Sequence, residues 1–566
     1  MRFVELGLSP FFSNIFRFLQ RSQLSGAMTD IATATEVKPI TDAEKKDFPI
    51  ALISLYNAYN LGIRYIHSLL KSRGYNVHLI FFGRISANDA VVPTETDYEN
   101  LMRILKEYDI KLVAMSLSCT TYFEVGTEIA RRIRKEMPGV PQLWGGVHVT
   151  LCPEDSIEHA DYICLGEGEY PTLELVEAMI RDEDAKNIPS LWIRNSNDEI
   201  IKNEMRPVIE DLDALPFPTW DDEQKWVVLN GTVKNEEIAK YDTWVFTMTS
   251  RGCPFHCTYC VNNCYHRNFR EQGMNRMRFR SVDNVIKELR FMRETVDNFT
   301  LRHIGFYDDE FSVSEAWIKD FVEEYSKEFK NTFWCYFHPN LIKEEIIIPL
   351  KKMGLTQIDM GVQTGSQRVR KDVYKRPESD DKIRDVMRML QKNKISVALD
   401  VITDNPYETE DDKQASLEFF LSLPRPYEVN FYSLIWFPKV ELTEWALRDG
   451  YITRDDVEDR AKKTMEQFVA TFKYKKRSKT EAFWIALYFM AARGIYPKWF
   501  IRFLSRQKYL KDAPWVMMFF YRMMNLINMV RKVFRALWYL ITGKLTIAQI
   551  RTRWTNYLVW EKPFEK

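Results

Sequence analysis

TWVFTMTSRGCPFHCTYC, residues 243–260, is the stretch on which the fold turns. Its first half is a β-branched and aromatic run of strand length, and its second half delivers Cys253, Cys257 and Cys260 in the spacing Cys-x-x-x-Cys-x-x-Cys. Three thiolates beyond a strand end can hold three irons of a cubane and leave the fourth iron open to a substrate ligand. A single zinc ion normally takes four ligands, so His256 or Cys264 would have to complete that alternative. Working downstream, HIGFYDDE, FWCYFHP, QIDMGVQTG, SVALDVITD and EVNFYSLIWF come next as strand-like runs, separated by helical stretches such as VDNVIKELRFMRE and DKIRDVMRMLQKN. The alternation predicts a complete or partial (β/α) barrel over residues 241–450, with chemistry at the strand C-termini.

Upstream, residues 48–185 repeat the alternation. IALISLY, VHLIFF, KLVAMSL, PQLWGG and DYICLG are strand-like, with the helical stretches LGIRYIHSLLKSRG, DYENLMRILKEY and EVGTEIARRIRKEM between them. Such a series implies right-handed crossovers and a doubly wound (Rossmann-like) parallel sheet. Ligands of these sheets sit beyond the carboxyl ends of the strands, which brings residues 57–62, 116–121, 145–150 and 166–169 to one edge. Residues 1–47 read as an extension and linker, residues 186–240 as an irregular connector rich in proline, and residues 451–566 as a helical domain.

Composition bounds what such a chain does. With 46% hydrophobic and 28% charged residues it is globular rather than disordered, and 566 residues exceed one core, so several domains are expected. Three of eight cysteines lie within eight residues and the rest are scattered, which excludes a secreted disulfide framework. FFSNIFRFL near the N-terminus is broken by Arg17 and lacks a cleavage site, so no signal peptide is expected and the compartment is a reducing cytoplasm. The net charge of zero conceals a basic tail: between Glu481 and Glu561 the only acid is Asp512. Within it, WVMMFFYRMMNLINMVRKVFRALWYLI is interrupted by Arg522, Arg531, Lys532 and Arg535 before a spanning length accumulates. Two readings stay open, a basic amphipathic helix at the inner face of a membrane and an ordinary packed helical domain. Bases interleaved with apolar runs favour a membrane over a nucleic acid.

The cysteine motif, with Tyr259 before its last Cys, resembles the radical S-adenosylmethionine (SAM) superfamily, across roughly residues 241–445. The resemblance implies a [4Fe-4S] cluster on Cys253, Cys257 and Cys260, SAM chelated to the open iron, and a one-electron reductant such as flavodoxin or ferredoxin. It places Asp308 and Asp309 at the SAM amino group, unless these belong to a solvated acidic loop, and Gln363 and Ser366 of GVQTGSQ near the rest of SAM. Lys371, Lys375 and Arg376 read as a solvated face. Ser116, Ser118 and Thr120 with the Gly145-Gly146 pair resemble a cobalamin-binding edge. GGVHVTLCPED, with His148, and CLGEGE, with Gly166 and Glu167, resemble the group that holds anaerobic magnesium-protoporphyrin cyclases and many methylases. The cobalamin motif Asp-x-His-x-x-Gly stands here as Asn57-Ala58-Tyr59-Asn60-Leu61-Gly62. Tyr59 replaces the cobalt-ligating imidazole, so cobalamin is expected without a protein histidine on cobalt, the alternative being loss of the corrin. His148 is a corrin contact or a structural histidine. No side chain is assigned an acid–base or nucleophilic role.

Together these features imply a cobalamin-dependent radical SAM C-methyltransferase acting on an unactivated carbon of a small-molecule or lipid substrate, lipid or isoprenoid because of the tail. The alternatives are a cobalamin-dependent cyclase or oxidative rearrangement enzyme, and a non-catalytic sensing module.

Overall fold

The computed structural model describes residues 39–86, 89–240, 242–264, 267, 277–311, 314–461 and 478–542. The FFSNIFRFL segment, most of the linker and the chain beyond 542 lie outside the described residues, as do the side chains of Lys532 and Arg535.

The five upstream runs form β1 (Ile50–Leu55), β2 (Val77–Phe82), β3 (Leu112–Ser116), β4 (Gln142–Gly145) and β5 (Tyr162–Cys164). β1 and β2 are buried at every position, as a parallel sheet covered on both faces requires. The connector does not stay irregular: it supplies β6 (Leu191–Arg194), β7 (Ile200–Lys202), β8 (Lys225–Leu229) and β9 (Thr232–Asn235). The resulting nine-stranded sheet has the order β9-β8-β2-β1-β3-β4-β5-β6-β7, parallel from β8 to β5 and antiparallel at both edges. β8 and β9 turn at Asn230 and Gly231, whose φ values of 52° and 73° are those of a type I′ hairpin. The VVLNGTV stretch thus carries a hairpin signal that the surrounding prolines obscure. Strand order reverses between β1 and β3, so the ligand crevice lies beyond their C-terminal ends.

The second series forms β10 (Trp244–Thr247), β11 (His303–Phe306), β12 (Phe333–Tyr336), β13 (Leu355–Gln363), β14 (Ser396–Thr403) and β15 (Glu428–Ser433), all parallel and in sequential order. Six parallel strands make a partial barrel. Ser281, Ser314, Ser379 and Thr409 each cap the next helix by accepting from its N3 amide. Those helices bury Leu289, Phe321 and Leu390 against the outward strand residues Ile304, Phe333, Ile358 and Met360. Helix Lys479–Arg493 is apolar nearly all round and joins this outer core, where Tyr488 donates to the Lys413 carbonyl at 2.9 Å. Helices Lys498–Ser505 and Pro514–Ile541 come after it. Among the described residues no helix is long and apolar enough to cross a membrane.

Candidate active site

The cysteine loop is fastened at both ends. At its entry, Thr249 and Ser250 donate through both backbone N–H groups and both hydroxyls to a single oxygen of Asp308, at 2.5–2.8 Å. Burial pushes the Asp308 carboxyl up to about 6. Asp308, expected from the sequence at the SAM amino group, is 2% exposed and shapes the strand-to-loop turn, while its Oδ2 has no partner among the described residues. Farther along, Thr258 donates to the Val373 and Tyr374 carbonyls, at 2.6 and 3.3 Å. Cys257 is buried, and Cys253 and Cys260 are half-buried. Burial, and then the neighbouring Cys257, pushes the Cys260 thiol up to about 12.

Arg376 closes the loop from behind. Sequence pattern puts it on a solvated face with Lys371 and Lys375; those two are exposed, but Arg376 is 6% exposed. Its guanidinium donates to Cys257 Sγ (3.6 Å), the Tyr259 hydroxyl (3.0 Å), the Gly361 carbonyl (2.6 Å) and Glu378 Oε1 (2.6 Å). Glu378 pairs with His338 Nε2 at 3.2 Å, and the His338 ring stacks on Phe255, inside the motif, at 3.7 Å. Tyr259 is therefore placed by Arg376 and by the Tyr374 ring at 5.0 Å.

These residues fit an iron-sulfur cubane. The donor set is three thiols, and a guanidinium donating to one ligand sulfur is the kind of outer contact that tunes cluster potential. Among the described residues no three His, Cys, Asp or Glu side chains converge on one point as a single-ion site requires. A cubane asks only that each thiolate reach its own iron. Of the expected SAM contacts, Asp309 lies beside this loop and accepts from Asn262 Nδ2 at 2.8 Å. Gln363 takes φ +66° and folds its amide over Gly361, where a Cβ would stand 2.6 Å from Nε2. Ser366 is buried and donates to Asp412 at 2.7 Å, so its hydroxyl is spent inside the protein.

On the other side of the crevice, the expected corrin edge is assembled from the loops after β1, β3, β4 and β5. Asn57 Oδ1 accepts from the Tyr59 amide at 2.9 Å, and Gly62 lies in the first turn of helix Leu61–Ser72. Asn60 caps that helix and donates to Ser116 Oγ at 3.0 Å. Ser118, half-buried, stands two residues beyond β3. Gly146 has φ +100°, and a Cβ there would meet Leu117 O at 2.8 Å; the backbone crossing, rather than a ligand, demands this glycine. Gly145 has only ordinary neighbours. Gly166, at φ +78°, faces Met205. His148 is 1% exposed and kept neutral by burial, at about 4. Its Nδ1 lies 3.3 Å from Thr120 Oγ1, while Nε2 has no partner among the described residues. That orphaned atom fits a ligand with a polar group at this edge.

Two expected ligand contacts are spent on domain coupling. Glu167 accepts from Arg251 (2.8 Å), from Arg278 (2.9 Å) and from the Ile209 amide (2.7 Å). Glu169 takes the other arm of Arg251 at 2.6 Å. Tyr59 points its hydroxyl at Asp242, whose carboxyl burial raises to about 6, and packs its ring on Phe246 at 4.2 Å. From there Tyr307, Trp334 and Tyr336 continue an aromatic run, with centroids 5.6, 6.0 and 5.0 Å apart in succession. Asp359 and Asp400, on adjacent strands, have amide partners in Gln357 and Asn430. Sequence reasoning had no pattern by which to find this lining.

Comparison with known proteins agrees with this geometry. Residues 247–420 match the radical SAM superfamily and residues 50–176 the B12 binding domain, together more than half of the chain. The chain belongs to the radical SAM enzymes that carry a cobalamin-binding domain. Those domains imply a [4Fe-4S] cluster, SAM and cobalamin as its cofactors. It is 24% identical over 400 residues to an uncharacterised methyltransferase of Pyrococcus horikoshii, covering 69% of this chain and 79% of that protein. It is 23% identical to the anaerobic magnesium-protoporphyrin IX monomethyl ester cyclase of Cereibacter sphaeroides, covering 68% of this chain but 57% of the cyclase. In fold it is similar to the radical SAM methyltransferase TsrM of Kitasatospora setae, with TM-score 0.55, 17% identity, and 71% and 75% of the two chains covered.

Proposed function

We propose that this enzyme methylates an unactivated carbon of a hydrophobic substrate, a lipid or isoprenoid, while lying against the inner face of a membrane. When bound, SAM on the cluster supplies the hydrogen-abstracting radical and cobalamin the methyl group. The chain's own residues hold the parts: Cys253, Cys257 and Cys260 the cluster, Arg376 the loop that carries it, and the loops after β1, β3 and β4 the corrin. The observation that carries this reading is the aromatic run from Tyr59 through Phe246, Tyr307 and Trp334 to Tyr336, which leads from the corrin edge along the inner barrel face. Such a wall receives apolar carbon and keeps water from a radical. Membrane contact is supported by helix Pro514–Ile541, on which Trp515, Phe519, Phe534 and Trp538 are 74, 54, 69 and 61% exposed.

The test is turnover with SAM deuterated on its methyl group in an extract containing the organism's lipids. A lipid product carrying the label supports the proposal. Turnover of SAM without label in any product favours cyclisation, the chemistry named in the Cereibacter relative, or rearrangement.

A further inference from the structure

Helix Asp380–Lys392, the turn at residues 423–426 and helices Lys479–Arg493, Lys498–Ser505 and Pro514–Ile541 meet around a cavity of about 480 Å³. Five of its lining side chains are cations, each from a different segment: Arg388, Arg425, Arg493, Lys498 and Arg531. Two carboxylates engage part of this charge. Asp385 pairs with Arg388 at 2.6 Å on the exposed surface, and Glu428 stands 3.7 Å from Arg493. Arg425 donates to the Tyr496 carbonyl at 3.2 Å. Among the described residues Lys498 and Arg531 have no carboxylate partner, and both are exposed. Like charges gathered around one cavity repel each other until an anion joins them. Guanidinium forks with an ammonium are the donor set that suits phosphate oxygens.

The surroundings decide which phosphate. Arg531 lies on helix Pro514–Ile541, where Phe519, Met523, Val530, Phe534 and Leu537 are all exposed. At 3.6 residues per turn these five share one stripe, and Arg531 falls about a quarter turn to its side. Trp499 and Phe503, next to Lys498 on the neighbouring helix, are 69 and 52% exposed. Free phosphate has no use for an apolar border, whereas an anionic lipid has a phosphate head and an acyl body.

We propose that this cavity takes the phosphate headgroup of an anionic lipid while the stripe sinks into the acyl boundary. This rests on the membrane reading of the proposed function and specifies its contact. Each basic residue near an anionic surface adds about fivefold in affinity, so three together account for on the order of 100-fold.

The test is co-sedimentation of the full-length, cofactor-loaded enzyme with vesicles of phosphatidylcholine alone or mixed with phosphatidylglycerol. Wild type should prefer the mixed vesicles. The Arg388→Gln, Lys498→Gln, Arg531→Gln variant changes only exposed side chains; it should lose about 100-fold on mixed vesicles and bind phosphatidylcholine as wild type does. Phe519→Ser with Phe534→Ser should lose binding to both vesicle types. If the triple variant keeps the full preference for mixed vesicles, the headgroup site is wrong and the membrane reading stands. If wild type ignores both vesicle types, the membrane reading fails and the lipid site with it. Saturable binding of inorganic phosphate to that non-binding wild type, lost in the triple variant, would assign the cavity to a soluble phosphate and overturn the lipid assignment.

Discussion

Replacing Arg376 with Met removes a cation from a buried network. Glu378 is 0% exposed, and its partners are Arg376 Nε at 2.6 Å and His338 Nε2 at 3.2 Å. Burial pulls the Glu378 carboxyl up, but His338 and Arg376 hold it down at about 2. Breaking a buried pair from one side costs about 3–5 kcal/mol, because the remaining charge stays desolvated. For a domain of the barrel's size each kcal/mol is about 2–4 °C, so Arg376→Met should lower the melting temperature of the cofactor-free protein by roughly 10 °C. The double change Arg376→Met, Glu378→Leu removes the stranded carboxylate; both variants lose the contacts to Cys257, Tyr259 and Gly361, so the double variant adds only an unpaired His338, about 1–3 kcal/mol. It should therefore melt above the single variant, by roughly 5 °C. Far-UV circular dichroism melts of the three proteins suffice, with iron content after anaerobic reconstitution as the second readout. Both variants should load less iron, since neither restores the donor to Cys257 Sγ. A single variant within about 2 °C of wild type, or a double variant that melts lower than the single, would refute the assignment of Arg376 and Glu378 as a buried pair.

Changing Cys253, Cys257 and Cys260 together to Ala should abolish the absorption of a reconstituted four-iron cluster; stoichiometric zinc and no iron in the native protein would contradict this. Tyr59→Phe should still bind cobalamin with a base-off absorption spectrum, because the Tyr59 hydroxyl is engaged by Asp242 and no imidazole is lost. A base-on spectrum, or a protein nitrogen on cobalt by electron paramagnetic resonance, would reverse that reading. Glu237 is buried between Arg64 (2.6 Å) and Lys225 (3.0 Å); burial raises its carboxyl, but these cations hold it at about 2. Its folded value lies below the ordinary one of about 4.3, so its contribution, on the order of 3 kcal/mol, is present above about pH 4.3 and lost as pH falls toward 2. Urea midpoints between pH 6 and 3 should fall less steeply in Glu237→Gln than in wild type, and parallel slopes would disprove the linkage.

Much of the fold is legible in the sequence because strands and helices alternate cleanly in two series. All eleven strand runs expected in those series form, from Ile50–Leu55 to Glu428–Ser433. Features with no local period escape. The β8–β9 hairpin has a turn signal in Asn230-Gly231, but it sits in a proline-rich stretch and joins a sheet whose other strands lie far upstream. Arg376 is misplaced by pattern because the helical turn stops at Val373. Lys375, at φ 53°, then turns the chain out of the helix, so Arg376 stands in the irregular stretch before helix Asp380–Lys392, where helical counting no longer applies. Glu167 reads as a ligand contact because it sits at the right edge. Its partners Arg251 and Arg278 are 84 and 111 residues away, and no neighbouring residue announces them.

Those distant partners explain why an acidic CLGEGE segment comes after β5. Arg251 precedes Cys253 by two residues and pairs with both Glu167 and Glu169, and Arg278 lies across the short ladder that pairs Ser250 with Phe279. The start of the cluster loop is thus bound to the end of the cobalamin domain's last parallel strand by charge-assisted bonds shielded from solvent. Arg251 is further covered by the Tyr65 ring at 5.2 Å. In the methyl transfer proposed above, a methyl group on one cofactor and a radical generated at another would have to meet at a single carbon, which would make the relative placement of the two domains a catalytic requirement. In this chain that placement is held by the Glu167–Arg251–Glu169 bridge on one side and by Tyr59 against Asp242 and Phe246 on the other. Both contacts are made by residues at positions where the family resemblance implies cofactor contact.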